Sequence, residues 1–279
     1  MTFYEKLKKE LSGKVPKNML ELLPRSYQRL GKIILIKMNL GLIKYKKKIG
    51  KAIIRLFPYI DSVFLIRGIK TRTRKPDIEL IGGKPCSQTL HKEYGSKFLL
   101  DVSEVMWSKG NKAERQRLVE KVKKNEIIVD MFAGIGYFSI FLAKDSRAKR
   151  VYSIEINPIS ADFLRKNSWL NEVENKIEVL EGDCRKFADI LKDSADRIMM
   201  GYLFDTEKYF DSALKIAKKS CFIHFHIKAK EEELEKIEKK LIEIGKKNGY
   251  KVKLIETKKV KTYAPNVAHY TLDLRVTKS

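Results

Sequence analysis

From residue 126 onward, apolar runs and amphipathic runs take turns, and that alternation leaves few architectures open. EIIVDMFAG (126–134) reads as a buried strand ending in a glycine turn, and YFSIFLAKD (137–145) continues as a helix. RVYSIEIN (150–157) is the next strand; PISADFLRKNSWLNEV (158–173) starts a helix with Pro158 in the first turn, where a missing N–H costs nothing. IEVLEGD (177–183), DRIMMGYLF (196–204) and SCFIHFHIK (220–228) supply three more strands, with DTEKYFDSALKIAKKS (205–220) helical between the last two. EEELEKIEKKLIEIGKKNG (231–249) is an amphipathic helix stopped by Gly249. Two closing strands, YKVKLIETKKVK (250–261) and HYTLDLRV (269–276), are joined through TYAPNVA. Such β/α alternation predicts an α/β fold: a Rossmann-like, mostly parallel sheet with helices on both faces and an antiparallel carboxy-terminal edge.

Residues 1–104 read differently, as a small α+β unit ahead of the α/β unit at 105–279. FYEKLKKEL is helical, KIILIKMN, SVFLIRGI, IELIGG and KFLLDVS are short strands, and KYKKKIGKAIIRLF is a helix between them. Charge separates the two parts. Residues 1–100 hold 23 basic and 7 acidic residues, the remainder 36 and 28, out of a net +24. A lysine-rich thermophilic composition would raise Glu alongside Lys. The first third lacks that Glu, so a polyanionic partner is the better account. Lys46, Lys47, Lys48, Lys51 and Arg55 form one candidate nucleic-acid-binding group, and Arg72, Arg74 and Lys75 a second. No apolar run is long enough to span a membrane, and the amino terminus has no apolar signal core. A soluble, cytoplasmic chain is expected, with its three separated cysteines reduced and no metal site.

The strand ends carry the chemistry. Asp130 closes the first α/β strand, and Gly134 and Gly136 occupy the following turn, letting backbone approach a ligand. Glu155 closes the second strand, where a carboxylate can accept two ribose hydroxyls. The third ends in Gly182-Asp183-Cys184, an acid for an adenine amino group and a backbone N–H for a ring nitrogen. One acid alone is accounted for by capping a helix; three at successive strand ends line one crevice. There is no GxxxxGK[ST], which argues against a nucleoside triphosphate. His224 and His226 share a strand face, yet no third ligand is visible, so no metal is proposed.

D-x-F-x-G-x-G, E-x-N-P and G-D together resemble the class I S-adenosylmethionine-dependent transferases. LPRSYQRLGKI, RKP, TLHKEYG, the Glu-Arg of SKGNKAERQR and KTYAP…HY extend the resemblance to the enzymes that modify guanosine 37 beside the tRNA anticodon. That family holds N1-methylguanosine-37 methyltransferases and a sister enzyme of wybutosine synthesis. The sister moves the 3-amino-3-carboxypropyl group of S-adenosylmethionine to 4-demethylwyosine in phenylalanine tRNA. Two departures favour it. Methyltransferases of the group have Ser-Pro-Arg where this chain has Ser108-Lys109-Gly110, and end the fourth strand in Asn-Leu-Pro where this chain has Met200-Gly201-Tyr202. Gly201 cannot supply the acceptor that holds a target nitrogen in line, and is expected to leave room for something bulkier.

The resemblance also implies roles. Ser108 and Arg115 are ligand candidates for the methionine carboxylate, Glu114 stands where the methyltransferases have a basic acid, and Tyr202 is a candidate to stack on a base. Arg74 matches an arginine near the target nucleotide, and the modified base would leave its stack to enter the crevice. The partner expected is the anticodon stem-loop of tRNA, met by a monomer. The methyltransferases' additional amino-terminal domain has no room here, which again favours the sister enzyme. N1-methylguanosine-37 methylation and a non-catalytic RNA-binding role are the alternatives.

Overall fold

The computed structural model describes residues 1–70, 75–107 and 111–279, at 69 and 70 through the backbone alone. It divides into two compact units, Met1–Trp107 and Ser108–Ser279.

The first unit opens with α1 (Phe3–Leu11), started by a reciprocal cap: Thr2 Oγ1 accepts from the Glu5 N–H while the Glu5 carboxylate accepts from the Thr2 N–H at 2.7 Å. A short helix α2 (Lys17–Leu20) leads to β1 (Gln28–Leu30) and β2 (Ile33–Ile36). α3 (Lys46–Leu56) then crosses over to β3 (Ser62–Lys70), which pairs parallel to β2 and antiparallel to β4 (Lys75–Gly83). The sheet order is β1-β2-β3-β4, and β5 (Gln88–Glu93) with β6 (Ser96–Asp101) forms a separate hairpin. Leu7 and Leu11 of α1 and Ile49, Ala52 and Ile53 of α3 pack on Ile34, Ile36, Val63 and Leu65. The fit is close enough that α3 touches β4 through backbone. A Cβ on Gly50 would stand 2.1 Å from the Ile81 carbonyl oxygen.

The second unit carries α4 (Lys112–Lys121), then β7 (Ile127–Asp130), α5 (Ser139–Asp145), β8 (Arg150–Glu155), α6 (Pro158–Leu170), β9 (Ile177–Glu181), α7 (Cys184–Phe187) and β10 (Ala195–Met200). It closes with α8 (Phe210–Ile216), β11 (Ala217–Lys230), α9 (Leu234–Lys247), β12 (Tyr250–Ala264) and β13 (Val267–Lys278). The seven strands lie in the order β12-β13-β11-β10-β7-β8-β9, parallel from β7 to β11. β13 runs antiparallel between β11 and β12, so the last strand is interior and β12 is the rim. Their sequences explain the choice. Ala268 to Leu274 are buried without interruption, as an interior strand requires, whereas β12 alternates exposed lysines, which suit an unpaired edge. The segment AKKS, expected to extend a helix, instead starts β11, because Ala217 pairs with Ala195 of β10.

This order sets the ends of β10, β7, β8 and β9 side by side, with the strand order reversing between the parallel neighbours β10 and β7. Ligands bind at such a switch point. No helix among the described residues is long and apolar enough to cross a membrane. Gly50→Ala tests the backbone contact in the first unit. Alanine gains about 1 kcal/mol of helix propensity, but a clash with a carbonyl cannot be relieved by a rotamer. A net loss of about 2 kcal/mol is expected in denaturant unfolding; an unchanged or raised midpoint would show that α3 can shift freely.

Candidate functional site

The turn after β7 has a forced shape. Gly134 has φ 58° and Gly136 φ 97°; a Cβ on Gly134 would lie 2.5 Å from the Tyr137 ring, and one on Gly136 2.6 Å from Ile140 and 2.7 Å from Leu164. Glycine is therefore needed at 136 for helix α5 to pack, as well as for conformation. The side chain of Glu155 closes the turn from the next strand, with Oε2 accepting from the Gly134 N–H at 2.7 Å and Oε1 from the Asn157 N–H at 2.8 Å. A carboxylate has about four acceptor sites, so capacity for further donors remains. Burial pushes its pKa up.

Asp130 is anchored from within the fold. It is fully buried, accepts from the Ser139 hydroxyl at 2.8 Å, and Ser139 accepts in turn from Ser153 at 2.9 Å. The acid thus ties β7 to α5 and β8. Burial pushes its carboxyl up to about 6, helped by the Glu155 charge. Asp183 is half-buried, caps α7 through the Arg185 N–H, and pairs with the Arg185 guanidinium, which holds its carboxyl below the usual range. The Cys184 side chain lies in the core, its thiol pushed up to about 12 by burial, so any ligand contact falls to its backbone.

At the end of β10, Tyr202 stacks on Phe132 with centroids 5.2 Å apart, and meets Phe204 and Tyr209 edge-on at 5.9 and 6.2 Å. Arg185 lies over Tyr209 at 5.3 Å. One face of Tyr202 is thus already covered by the protein. Gly201 does not leave the open room expected of it, since a Cβ there would stand 3.2 Å from the Phe138 ring. Phe132, Phe204, Tyr209 and the exposed Ile156 beside Glu155 went unread in the sequence. An apolar residue directly after an acidic strand end was the available signal for Ile156.

Glu114 and Arg115 are both buried, at 3% and 1% exposure, and so are not the surface residues a charged helix suggests. The Arg115 guanidinium lies over the rings of Tyr137 and Phe141, next to the glycine turn. Glu114 belongs to a chain of charges under α4. Arg117 grips both Glu114 oxygens at 2.6 and 2.8 Å and reaches Asp273 at 2.6 Å. Asp273 meets His224 Nδ1 at 2.6 Å, Arg197 donates to His224 Nε2 at 2.7 Å, and Arg197 also pairs with Glu126. Because arginine always donates, His224 must carry its proton on Nδ1, directed at Asp273. His226 lies 2.8 Å from His269 and 4.0 Å from Glu114; burial pushes both histidines down to about 3, leaving them neutral. Among the described residues no group of three or more His, Cys, Asp or Glu is arranged to hold a metal ion.

Several of the basic residues of the first unit have partners. Lys46 pairs with Glu79, Arg55 with Glu10 and Lys75 with Glu104, while Lys47 and Lys48 donate to the carbonyls of Leu80 and Lys14. Exposed pairs of this kind are worth about 0–1 kcal/mol, so a phosphate can displace them. Lys51 is exposed on the same helix. Ser108, Lys109, Gly110, Arg72 and Arg74 lie outside the described residues. A cavity of about 400 Å³ bordered by Lys123, Asp196, Lys218 and Arg275 opens where the strands begin, at the edge opposite the acids, and takes no part in this site.

With that geometry in place, the comparisons are specific. Residues 89–253 match the TRM5/TYW2 methyltransferase domain and residues 7–86 the TYW2 N-terminal domain. A tRNA(Phe) (4-demethylwyosine(37)-C(7)) aminocarboxypropyltransferase of Methanocaldococcus jannaschii is 39% identical over 89% of this chain and 97% of its own length. The crystal structure of Pyrococcus horikoshii TYW2 in complex with MeSAdo is similar with a TM-score of 0.87 and 35% identity, covering 99% of this chain and 100% of that one. The tRNA (guanine(37)-N(1))-methyltransferase Trm5b of M. jannaschii is 30% identical over 99% of this chain and 78% of its own length.

Two outcomes are expected from the strand-end acids. Glu155→Ala should weaken S-adenosylmethionine binding roughly ten- to hundredfold by calorimetry, the loss of charged hydrogen bonds; unchanged affinity would remove the ribose assignment. Asp130 has a folded pKa of about 6, above its ordinary 3.8, so the stabilisation of its protonated form is full below about pH 4 and lost as pH rises through 6. Asp130→Asn should therefore raise unfolding stability by about 2–3 kcal/mol at pH 7.5 and by little at pH 4. An equal effect at both values would contradict the burial account.

Proposed function

The chain belongs to the family of the TRM5/TYW2 methyltransferase domain, and on that footing we propose that it transfers the 3-amino-3-carboxypropyl group of S-adenosylmethionine to 4-demethylwyosine at position 37 of phenylalanine tRNA. The γ-carbon–sulfur bond breaks as the bond to the base carbon forms, and methylthioadenosine and the proton displaced from that carbon are the other products. The observation that carries the reading is near-full-length likeness to aminocarboxypropyltransferases at 39% and 37% identity. The β10 ending, Met-Gly-Tyr without Asn or Pro, supports it, as does the match of residues 7–86.

The strand-end residues fit S-adenosylmethionine. The glycine turn is a cradle that side chains at 134 and 136 would fill, and Glu155 retains acceptor capacity beside an exposed apolar residue, Ile156. When bound, the co-substrate supplies a γ-carbon activated by a positive sulfur that departs as a neutral thioether. The chain does the rest. Glu155 accepts the ribose hydroxyls, Asp183 the adenine amino group, and Ile156 covers a face of the ring. Arg115 and Ser108 orient the methionine carboxylate, which sets the angle of the chain to be transferred. Tyr202, backed by Phe132, offers its remaining face to the base. Glu114, with both oxygens on Arg117, acts as a positioning group. The basic residues of the first unit, Arg72 and Arg74 included, hold phosphates of the anticodon stem-loop, and the enzyme works as a monomer.

The test uses S-adenosylmethionine labelled on either the methyl or the carboxyl carbon, with phenylalanine tRNA bearing 4-demethylwyosine and guanosine-37 tRNA in parallel. Carboxyl label should enter the 4-demethylwyosine tRNA alone. Methyl label in guanosine-37 tRNA would establish N1-methylation instead, and label in neither RNA would leave a binding protein.

A further inference from the structure

The β12–β13 hairpin end has features that guarding a sheet edge does not explain. Lysines on a rim strand discourage pairing with other chains, which accounts for Lys251 and Lys253. Toward the turn the composition changes. Lys258, Lys259 and Lys261 cluster there, and Tyr263 stands 45% exposed among them. Its ring is gripped by two ammonium groups, Lys261 at 4.8 Å and Lys228 of β11 at 5.6 Å. Lys228 and Lys261 flank His269 across the sheet and Lys258 stands opposite Thr271, so these three lysines share one face, while Lys259, opposite Tyr270, lies on the other. The β12–β13 register shifts between Lys259 and Lys261 and again between Thr262 and Ala264. Bulges of this kind re-aim side chains and recur beside functional sites. Glu256, the one acid in the stretch 256–264, is engaged by Arg117 and Lys121 and does not offset the lysines.

Position gives the cluster meaning. Pairing of β11 with β13 runs to Lys230 and Val267, the carboxyl end of β11, which is the edge where β7, β8 and β9 present their acids. β12 is three strands from β10, about 14 Å at ordinary sheet spacing. An exposed aromatic between cations is the chemistry that takes unpaired nucleotides: the ring stacks on a base while lysines meet the adjoining phosphates. We propose that this hairpin end is a second RNA contact, with Tyr263 stacking on an unpaired base near the modified nucleotide and Lys228, Lys258 and Lys261 on its phosphates. The inference rests on RNA being the substrate, as proposed above.

The experiment titrates a fluorescent anticodon stem-loop of phenylalanine tRNA with the full chain at several salt concentrations. Tyr263→Ala should weaken binding on the order of tenfold, and Tyr263→Phe should restore it. Replacing Lys228, Lys258 and Lys261 by Gln should lower the slope of log affinity against log salt by about two to three. S-adenosylmethionine affinity should stay at the wild-type value throughout. Stem-loop affinity and salt slope within twofold of wild type would overturn the contact. Should Tyr263→Ala lose co-substrate binding as well, the lysine variant decides on its slope alone. Labelled transfer is scored separately. Hairpin-dependent binding without aminocarboxypropyl transfer would sink the reaction and keep the contact, while normal transfer with hairpin-independent binding would do the reverse.

Discussion

Arg117 stands between two buried carboxylates, and the seating of α4 on the sheet depends on it. Removing ions from water costs several kcal/mol each, recovered only where geometry and further hydrogen bonds are good. Here the guanidinium meets Glu114 and Asp273 with both forks, and Asp273 is completed by His224, which Arg197 fixes in one tautomer. Burial keeps His224 neutral by lowering its pKa, so the chain adds a directed dipole there without adding a charge. The network joins α4, β10, β11 and β13, and it leaves Glu114 and Arg115 little freedom to move. Such an arrangement contributes specificity of packing more than net stability. Its consequence for the site is that Arg115 reaches the glycine turn from a helix that cannot slide.

The cofactor edge embodies an opposite tendency. Asp130 is buried with no cationic partner among the described residues, held by the Ser139 hydroxyl and the Phe132 N–H, and its ionised form weakens the fold at neutral pH. Gly134 and Gly136 likewise forgo the side chains that would stiffen a turn. A buried acid and two positions without side chains at one sheet edge are what a preformed ligand cradle costs, and the packed β11–β13 side of the sheet offsets them.

How far the sequence disclosed this depends on range. The α/β alternation, the acids at strand ends and the glycine turn are local patterns, so Glu155, Gly134 and Gly136 could be placed by reading along the chain. What depended on distant partners was not visible. β1 and β5 are short and polar, and hold their places by pairing with neighbours. The burial of Asp130 requires Ser139 and Ser153, and the space beside Gly201 is filled by Phe138, 63 positions earlier in the chain. Lysines that look available in sequence acquire carboxylates from other elements, as Lys46 does from Glu79. The hairpin end around Tyr263 becomes a patch only when β11 brings Lys228 beside it.

The proposed reaction assigns to the Met-Gly-Tyr end of β10 a preference for aminocarboxypropyl over methyl transfer. It is tested most directly by exchanging that end, Met200→Asn, Gly201→Leu and Tyr202→Pro together, and quantifying the released thionucleosides with 4-demethylwyosine tRNA. Wild-type enzyme should release methylthioadenosine, and the exchanged enzyme should lose that product while still binding S-adenosylmethionine. Undiminished methylthioadenosine release from the exchanged enzyme would contradict the claim and move the selection elsewhere in the crevice.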